Sequence, residues 1–176
     1  MSTFLKWVGL VSLVGLLAAQ FVSPKRIKRR VNPALTLEAN TAMTPEVSKI
    51  LERACNDCHS EKTVWRWYSR VAPFSWLQMA DVGMGRDEVN FSRWKEYPAK
   101  QQANMLKNTC QFVRKGDMPL WFYKPLHHGS DLSSAEVQQL CDWTTKEIER
   151  LGNQTPVWPG ALGASSAKAA DAAKTP

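Results

Sequence analysis

Cys55-Asn56-Asp57-Cys58-His59 is the stretch on which the reading of this 176-residue chain turns. Two thiols three positions apart can each form a thioether with one vinyl group of a haem. The next residue, His59, is then held close to the iron with its imidazole available as an axial ligand. Haem attached in this way cannot dissociate, which suits a small carrier without the core volume to engulf it. The same five residues admit other chemistry. A dithiol of the thioredoxin type gains a reactive thiolate from a helix N-terminus, and a zinc module would use Cys55 and Cys58 as half of a four-ligand set.

The residues upstream bear on that choice. Thr44-Pro45-Glu46 is a helix start: Thr44 can cap, Pro45 suits the first helical position and Glu46 suits the positive pole. Val47, Ile50, Leu51 and Ala54 follow on one face, and Cys55 and Cys58 continue it. The motif is thus expected at the C-terminal end of an amphipathic helix, the wrong pole for a thiolate. A zinc site would need two more ligands from Cys110, Cys141, His127 and His128, and adjacent histidines match the usual spacing poorly.

Downstream, residues 63–94 are rich in aromatics, Pro and Gly and hold no long period. A short helix is expected from about Ser75 to Val82, then a turn at Gly83-Met84-Gly85-Arg86, with Ser92 as a cap for one more helical turn. Arg66, Arg70 and Arg86 are candidates to pair with haem propionates, each competing with a plain solvated role. Residues 98–115 carry a stripe of Met105, Leu106, Thr109, Cys110 and Val113, ended by Gly116. In Gly116-Asp117-Met118-Pro119, the proline disfavours helix at Met118 and presents its thioether from a stiff loop. A soft thioether at that distance from Cys-x-x-Cys-His is a candidate second axial ligand. Trp121 to His128 reads as an extended segment over one haem edge, with His127 and His128 as rival ligands or as loop residues bonded to backbone and solvent. Ser133-Ser134-Ala135-Glu136 is a capping box that opens a last helix. Its stripe is Val137, Leu140, Cys141, Thr144, Ile148 and Leu151, and Gly152 is its expected stop. A Cys110–Cys141 disulfide is open to the chain if these two helices are neighbours; two buried thiols are the alternative.

The termini set the organisation. Residues 1–22 hold an uncharged run from Trp7 to Ala19, either an uncleaved single-pass anchor or a cleaved signal peptide. Leu17-Ala18-Ala19 is a poor cleavage site, which favours the anchor. Residues 23–43 read as a basic juxtamembrane linker, 44–152 as the domain and 153–176 as a disordered Ala/Ser/Lys tail. Net charge is +7, but six of the 23 Lys and Arg lie in the first 30 positions, where there is no acid. The remaining 17 face 16 acids, so the basic character flanks an apolar segment and argues for lipid, not nucleic acid. That flank would favour a cytoplasmic side; covalent haem and a disulfide favour the other side of the membrane, the periplasm, and carry more weight. Were the segment cleaved, the domain would be free in the periplasm. Six of eight Trp lie between residues 65 and 143, which predicts an aromatic interior around a porphyrin.

From about Ala54 to Trp143 the chain resembles the small bacterial haem-binding domain related to class I cytochromes c. The residues that carry the resemblance are Cys55-x-x-Cys58-His59-Ser60, Thr63-Val64-Trp65-x-Trp67-Tyr68-Ser69, Ala72-Pro73, Trp76, Gly85-Arg86, Asn90-Phe91-Ser92-x-Trp94, Gly116-x-Met118-Pro119 with Tyr123, and Leu132-Ser133, Glu136 and Trp143. Arg66 stands where the pattern often has Pro. The resemblance implies a mostly α, cytochrome c-like domain holding one covalent haem c through Cys55 and Cys58, with His59 and Met118 on the iron. With both ligands on the iron, the reading it leads to is an electron carrier more than an enzyme, serving unidentified redox proteins and tied to the membrane by its N-terminal segment. The alternative is a haem sensor or peroxidase-like enzyme with an open or displaceable distal site.

Overall fold

The helix that leads into the motif starts where its cap is. Thr44 Oγ1 accepts from the Val47 amide and Pro45 holds the first helical position. The computed structural model describes residues 2–22, 24–26 and 29–154. In chain order its α-helices are α1 (Ser2–Ala19), α2 (Leu37–Asn40), α3 (Pro45–Ala54), α4 (Asn56–His59), α5 (Phe74–Glu88), α6 (Ala99–Lys115) and α7 (Ser134–Gln154). Short 3-10 turns lie at Pro33–Leu35, Trp67–Arg70, Phe91–Glu96 and Lys124–Leu126. There is no strand among the described residues.

The core forms where three helical stripes meet. Val47, Ile50 and Leu51 of α3 pack with Met105, Leu106 and Val113 of α6 and with Leu140, Cys141, Trp143 and Leu151 of α7. Full burial of each such large aliphatic side chain contributes about 1.5–3 kcal/mol. α7 opens on the expected capping box: Glu136 accepts from the Ser133 amide at 2.9 Å, and Ser133 Oγ accepts from the Glu136 amide at 3.3 Å. Cys110 and Cys141 are joined as a disulfide, tying α6 to α7.

Several expectations are corrected. Gly152 does not stop α7, which runs to Gln154. The expected turn at residues 83–86 is helix, because α5 continues unbroken to Glu88. The small residues there serve packing instead, as the site shows. Asn90 caps the 91–96 turn through its side chain, while Ser92 Oγ accepts from the Glu61 amide. Residues 31–43 are no mere spacer. Leu37 is fully buried in the core, and Glu147 and Arg150 of α7 bind the Ala42 amide and the Asn40 carbonyl, both at 2.8 Å. The interior is also less rich in indoles than the sequence suggests. Trp94 and Trp143 are buried, but Trp7, Trp67, Trp76 and Trp121 are exposed.

The transmembrane expectation for the N-terminal segment gains no support. Among the described residues no helix is long and apolar enough to cross a membrane. The 18 residues of α1 rise about 27 Å, against a hydrocarbon core of about 30 Å. Of the tail expected at 153–176, residues 153 and 154 belong to α7, and 155–176 lie outside the described residues.

The disulfide closes a loop with a sequence separation of 31. The loop-entropy relation predicts that Cys110→Ser/Cys141→Ser lowers unfolding free energy by about 3–4 kcal/mol, measured by urea denaturation at fixed pH.

Candidate functional site

Cys55 is the hinge of the site. It ends α3 by donating its amide to the Leu51 carbonyl at 3.0 Å, and it opens α4 by accepting from the His59 amide at 2.9 Å. Its backbone leaves helical geometry (φ −128°, ψ −40°), so the helix is interrupted inside the motif. The motif therefore does not simply continue the α3 face, and the helix-pole objection to a reactive dithiol loses its basis. Another objection replaces it. Burial pushes both thiols up to about 12, and for Cys58 the carboxylates of Asp81 and Asp57 add to the effect. That is the reverse of the depressed thiol that disulfide exchange requires. Cys110 and Cys141 are consumed in their disulfide, and among the described residues no group of three or more His, Cys, Asp or Glu is placed to hold a metal ion.

His59 is oriented by α5. Its Nδ1 lies 2.8 Å from the Gly85 carbonyl and 3.3 Å from that of Val89. A carbonyl can only accept, so Nδ1 carries the proton and Nε2 keeps its lone pair. Burial also holds the imidazole below its ordinary pKa, against the pull of those two carbonyls. This contact depends on Gly85. A Cβ there would sit 2.8 Å from the Cys58 carbonyl oxygen and 3.1 Å from the Cys58 Cβ. The absence of a side chain lets α5 close on α4.

Met118 comes from the opposite side. α6 ends at Gly116 with φ 77°, a left-handed conformation that glycine adopts without strain. The amides of Asp117 and Met118 then fold back onto the Phe112 carbonyl at 3.0 and 3.3 Å. Two cavities, of about 600 and about 340 Å³, share Ala54, Cys55, His59, Glu88 and Met118 in their walls. Met84, Leu120, Phe122 and Tyr123 line the larger; Phe91, Met105 and Phe112 line the smaller. The four residues singled out in the sequence thus converge on one cleft, its volumes in the range usual for cofactor sites. No Trp lines it: phenyl rings and methionines replace the expected indoles.

Behind the motif lies a polar network that pattern reading missed. Asp57 Oδ1 accepts from the Val64 amide at 2.8 Å and Oδ2 from Tyr123 Oη at 3.0 Å. The His127 ring stacks on Tyr123 with 3.5 Å between centroids. Its Nδ1 donates to the Tyr123 carbonyl at 2.9 Å and its Nε2 accepts from Tyr68 Oη at 2.7 Å. His127 is thus engaged internally and lines neither cavity. His128 lines neither cavity as well. Among the candidate propionate partners, Arg86 is buried against Glu61 at 2.8 Å and donates to the Ser60 carbonyl at 2.9 Å. It fastens α5 to the segment after the motif, and removing one partner of such a buried pair costs about 3–5 kcal/mol. Arg66 and Arg70 are exposed and line neither cavity.

The fit to a haem is good on this geometry. The imidazole is fixed through Nδ1, two thiols and a thioether line the same cleft, and its walls are largely apolar. The model of a haem-binding domain family matches residues 14–146. No curated protein and no solved structure matches the chain.

Gly85→Ala is expected to destabilise the domain by about 1–3 kcal/mol through overpacking against Cys58, read by thermal or urea unfolding. Burial, more than the exposed Arg66 guanidinium, holds His127 below its unfolded value of 6.5. The unfolded chain therefore takes up this proton first. The stability His127 contributes is complete above about pH 6.5 and is lost as pH falls through its lower folded value. Urea midpoints measured from about pH 7 down to about pH 5 should fall with pH, and less steeply in His127→Gln.

Proposed function

The chain belongs to the haem-binding domain family and binds haem, and from that premise we propose that it is a mono-haem c-type cytochrome that carries single electrons. One observation carries this reading: Cys55, Cys58, His59 and Met118 line one cleft, with His59 Nδ1 engaged by the Gly85 carbonyl and Nε2 left unprotonated. Cys55 and Cys58 would hold the haem by thioethers, His59 Nε2 and Met118 Sδ by axial coordination. The haem supplies one-electron exchange at its iron. The chain's own residues do the rest. The Gly85 carbonyl orients His59 and increases its basicity. Met118, presented by a loop bonded back to Phe112, would supply the second ligand to the iron. Thioether ligation raises the potential relative to a bis-histidine centre. Phe91, Met105 and Phe112 supply an apolar wall that limits water at the cleft.

Two features support a place outside the cytoplasm. A disulfide belongs to an oxidising compartment, and α1 has the uncharged run of an export segment. The carrier would then work on the periplasmic side of the inner membrane, kept there by α1 lodged in the lipid, and exchange electrons with redox proteins of that compartment.

Protein matured with c-type haem machinery in an oxidising compartment should be low-spin when oxidised and when reduced. Its weak far-red band, diagnostic of methionine sulfur on ferric iron, should vanish in Met118→Ala. A high-spin native spectrum that shifts on adding carbon monoxide or cyanide would instead show an open distal site, the signature of a sensor or peroxidase.

A further inference from the structure

α1 does not leave the domain at a free hinge. Gln20, the residue after its last turn, is bonded to the loop ahead of α5. Gln20 Oε1 accepts from the Ala72 amide at 3.0 Å, and its Nε2 donates to the Ala72 carbonyl at 3.2 Å. Trp76 Nε1 donates to the Val22 carbonyl at 2.7 Å. Arg26 donates to Ser69 Oγ at 3.2 Å, with its guanidinium 5.5 Å from the centre of the Trp65 ring. Gln20, Val22 and Arg26 are therefore each pinned to the stretch 65–76. The surface around this seam is apolar and unpartnered. Phe21 is 91% exposed, Trp67 76%, Phe74 50% and Leu77 56%. A patch of this kind on a soluble domain calls for an occupant.

Two observations identify that occupant as lipid. The patch is continuous with α1, whose large apolar residues are exposed along its whole length; any bilayer that takes up α1 meets this patch next. In sequence it is flanked by exposed Lys25, Arg29 and Arg30 after Phe21 and by exposed Arg66 and Arg70 on either side of Trp67. Aromatic rings flanked by cations suit the headgroup boundary of an anionic bilayer. Resting on the reading of α1 as the lipid-lodged segment, we propose that the 67–77 loop and the first turn of α5 form a second, interfacial contact that sets the haem domain on the membrane in one orientation. α5 then becomes a strut. Phe74 touches the surface, and Gly85, which orients His59, stands about 16 Å further along the helix. The cleft is held beside the bilayer at a fixed height, open to partners of the same membrane.

The test uses the full, haem-loaded chain bound to vesicles of phosphatidylcholine and phosphatidylglycerol. A spin label is placed in turn at Leu13→Cys in α1, Phe74→Cys, Leu77→Cys and, as control, the exposed Lys146→Cys in α7. Collision with oxygen reports lipid and collision with a nickel chelate reports water. The labels at 13, 74 and 77 should meet oxygen several-fold more often, and nickel several-fold less often, than the label at 146. If 13 is in lipid while 74 and 77 are as wet as 146, the interfacial contact is wrong and the role of α1 stands. If 74 and 77 are shielded from both probes, a protein surface covers the patch and the lipid contact is wrong. If the chain stays in solution with all four labels wet, the role of α1 fails and the contact fails with it.

Discussion

The hydrogen bond from His59 Nδ1 to the Gly85 carbonyl is the constraint around which the domain is arranged. It fixes the tautomer of the imidazole and leaves the other nitrogen with its lone pair. It can form only because Gly85 has no Cβ to strike the Cys58 backbone. The buried Arg86–Glu61 pair, one residue along α5, holds the same two segments together from the outer side. Glycine thus brings α5 close to α4, and the ion pair keeps it there.

The distal side is tied to the same centre by a second route. Asp57 lies inside the Cys-x-x-Cys-His motif, yet its carboxylate bonds to Tyr123, which stacks with His127 beyond the Met118 loop. The motif and the methionine loop therefore share a buried partner. Their separation across the cleft is fixed by this wall as well as by the α3–α6–α7 core. Asp57 accepts along both carboxylate oxygens, as a buried carboxylate must to offset its desolvation.

What could be read in the sequence followed local rules. Thr44 and Pro45 started α3, Ser133 and Glu136 capped α7, and Gly116 ended α6 by the patterns that satisfy helix ends. The disulfide stays open in the sequence, since two stripes carrying one cysteine each do not show that their helices are neighbours, and the structure joins them. What was misread depended on distant contacts. Gly83 and Gly85 look like a turn, but α5 runs through them and uses the second for a close approach to Cys58. Arg86 looks like a surface charge available to a propionate until Glu61, 25 positions earlier, is brought against it. Residues 31–43 have no period because Leu37 enters the core and Met43 packs at its edge, with the segment held in place by Glu147 and Arg150 more than 100 positions away. The indoles drew attention by their number, but burial and cleft lining depend on tertiary placement that their number does not reveal.

The central claim is that haem is held covalently by Cys55 and Cys58 beside His59. Its most direct test is the mass of the matured chain after denaturation and acid–acetone extraction. The expected mass is that of the polypeptide plus one haem, with the added mass on the proteolytic peptide that contains both cysteines. Haem that extracts into the acetone, leaving a bare polypeptide with two free thiols, would contradict covalent attachment.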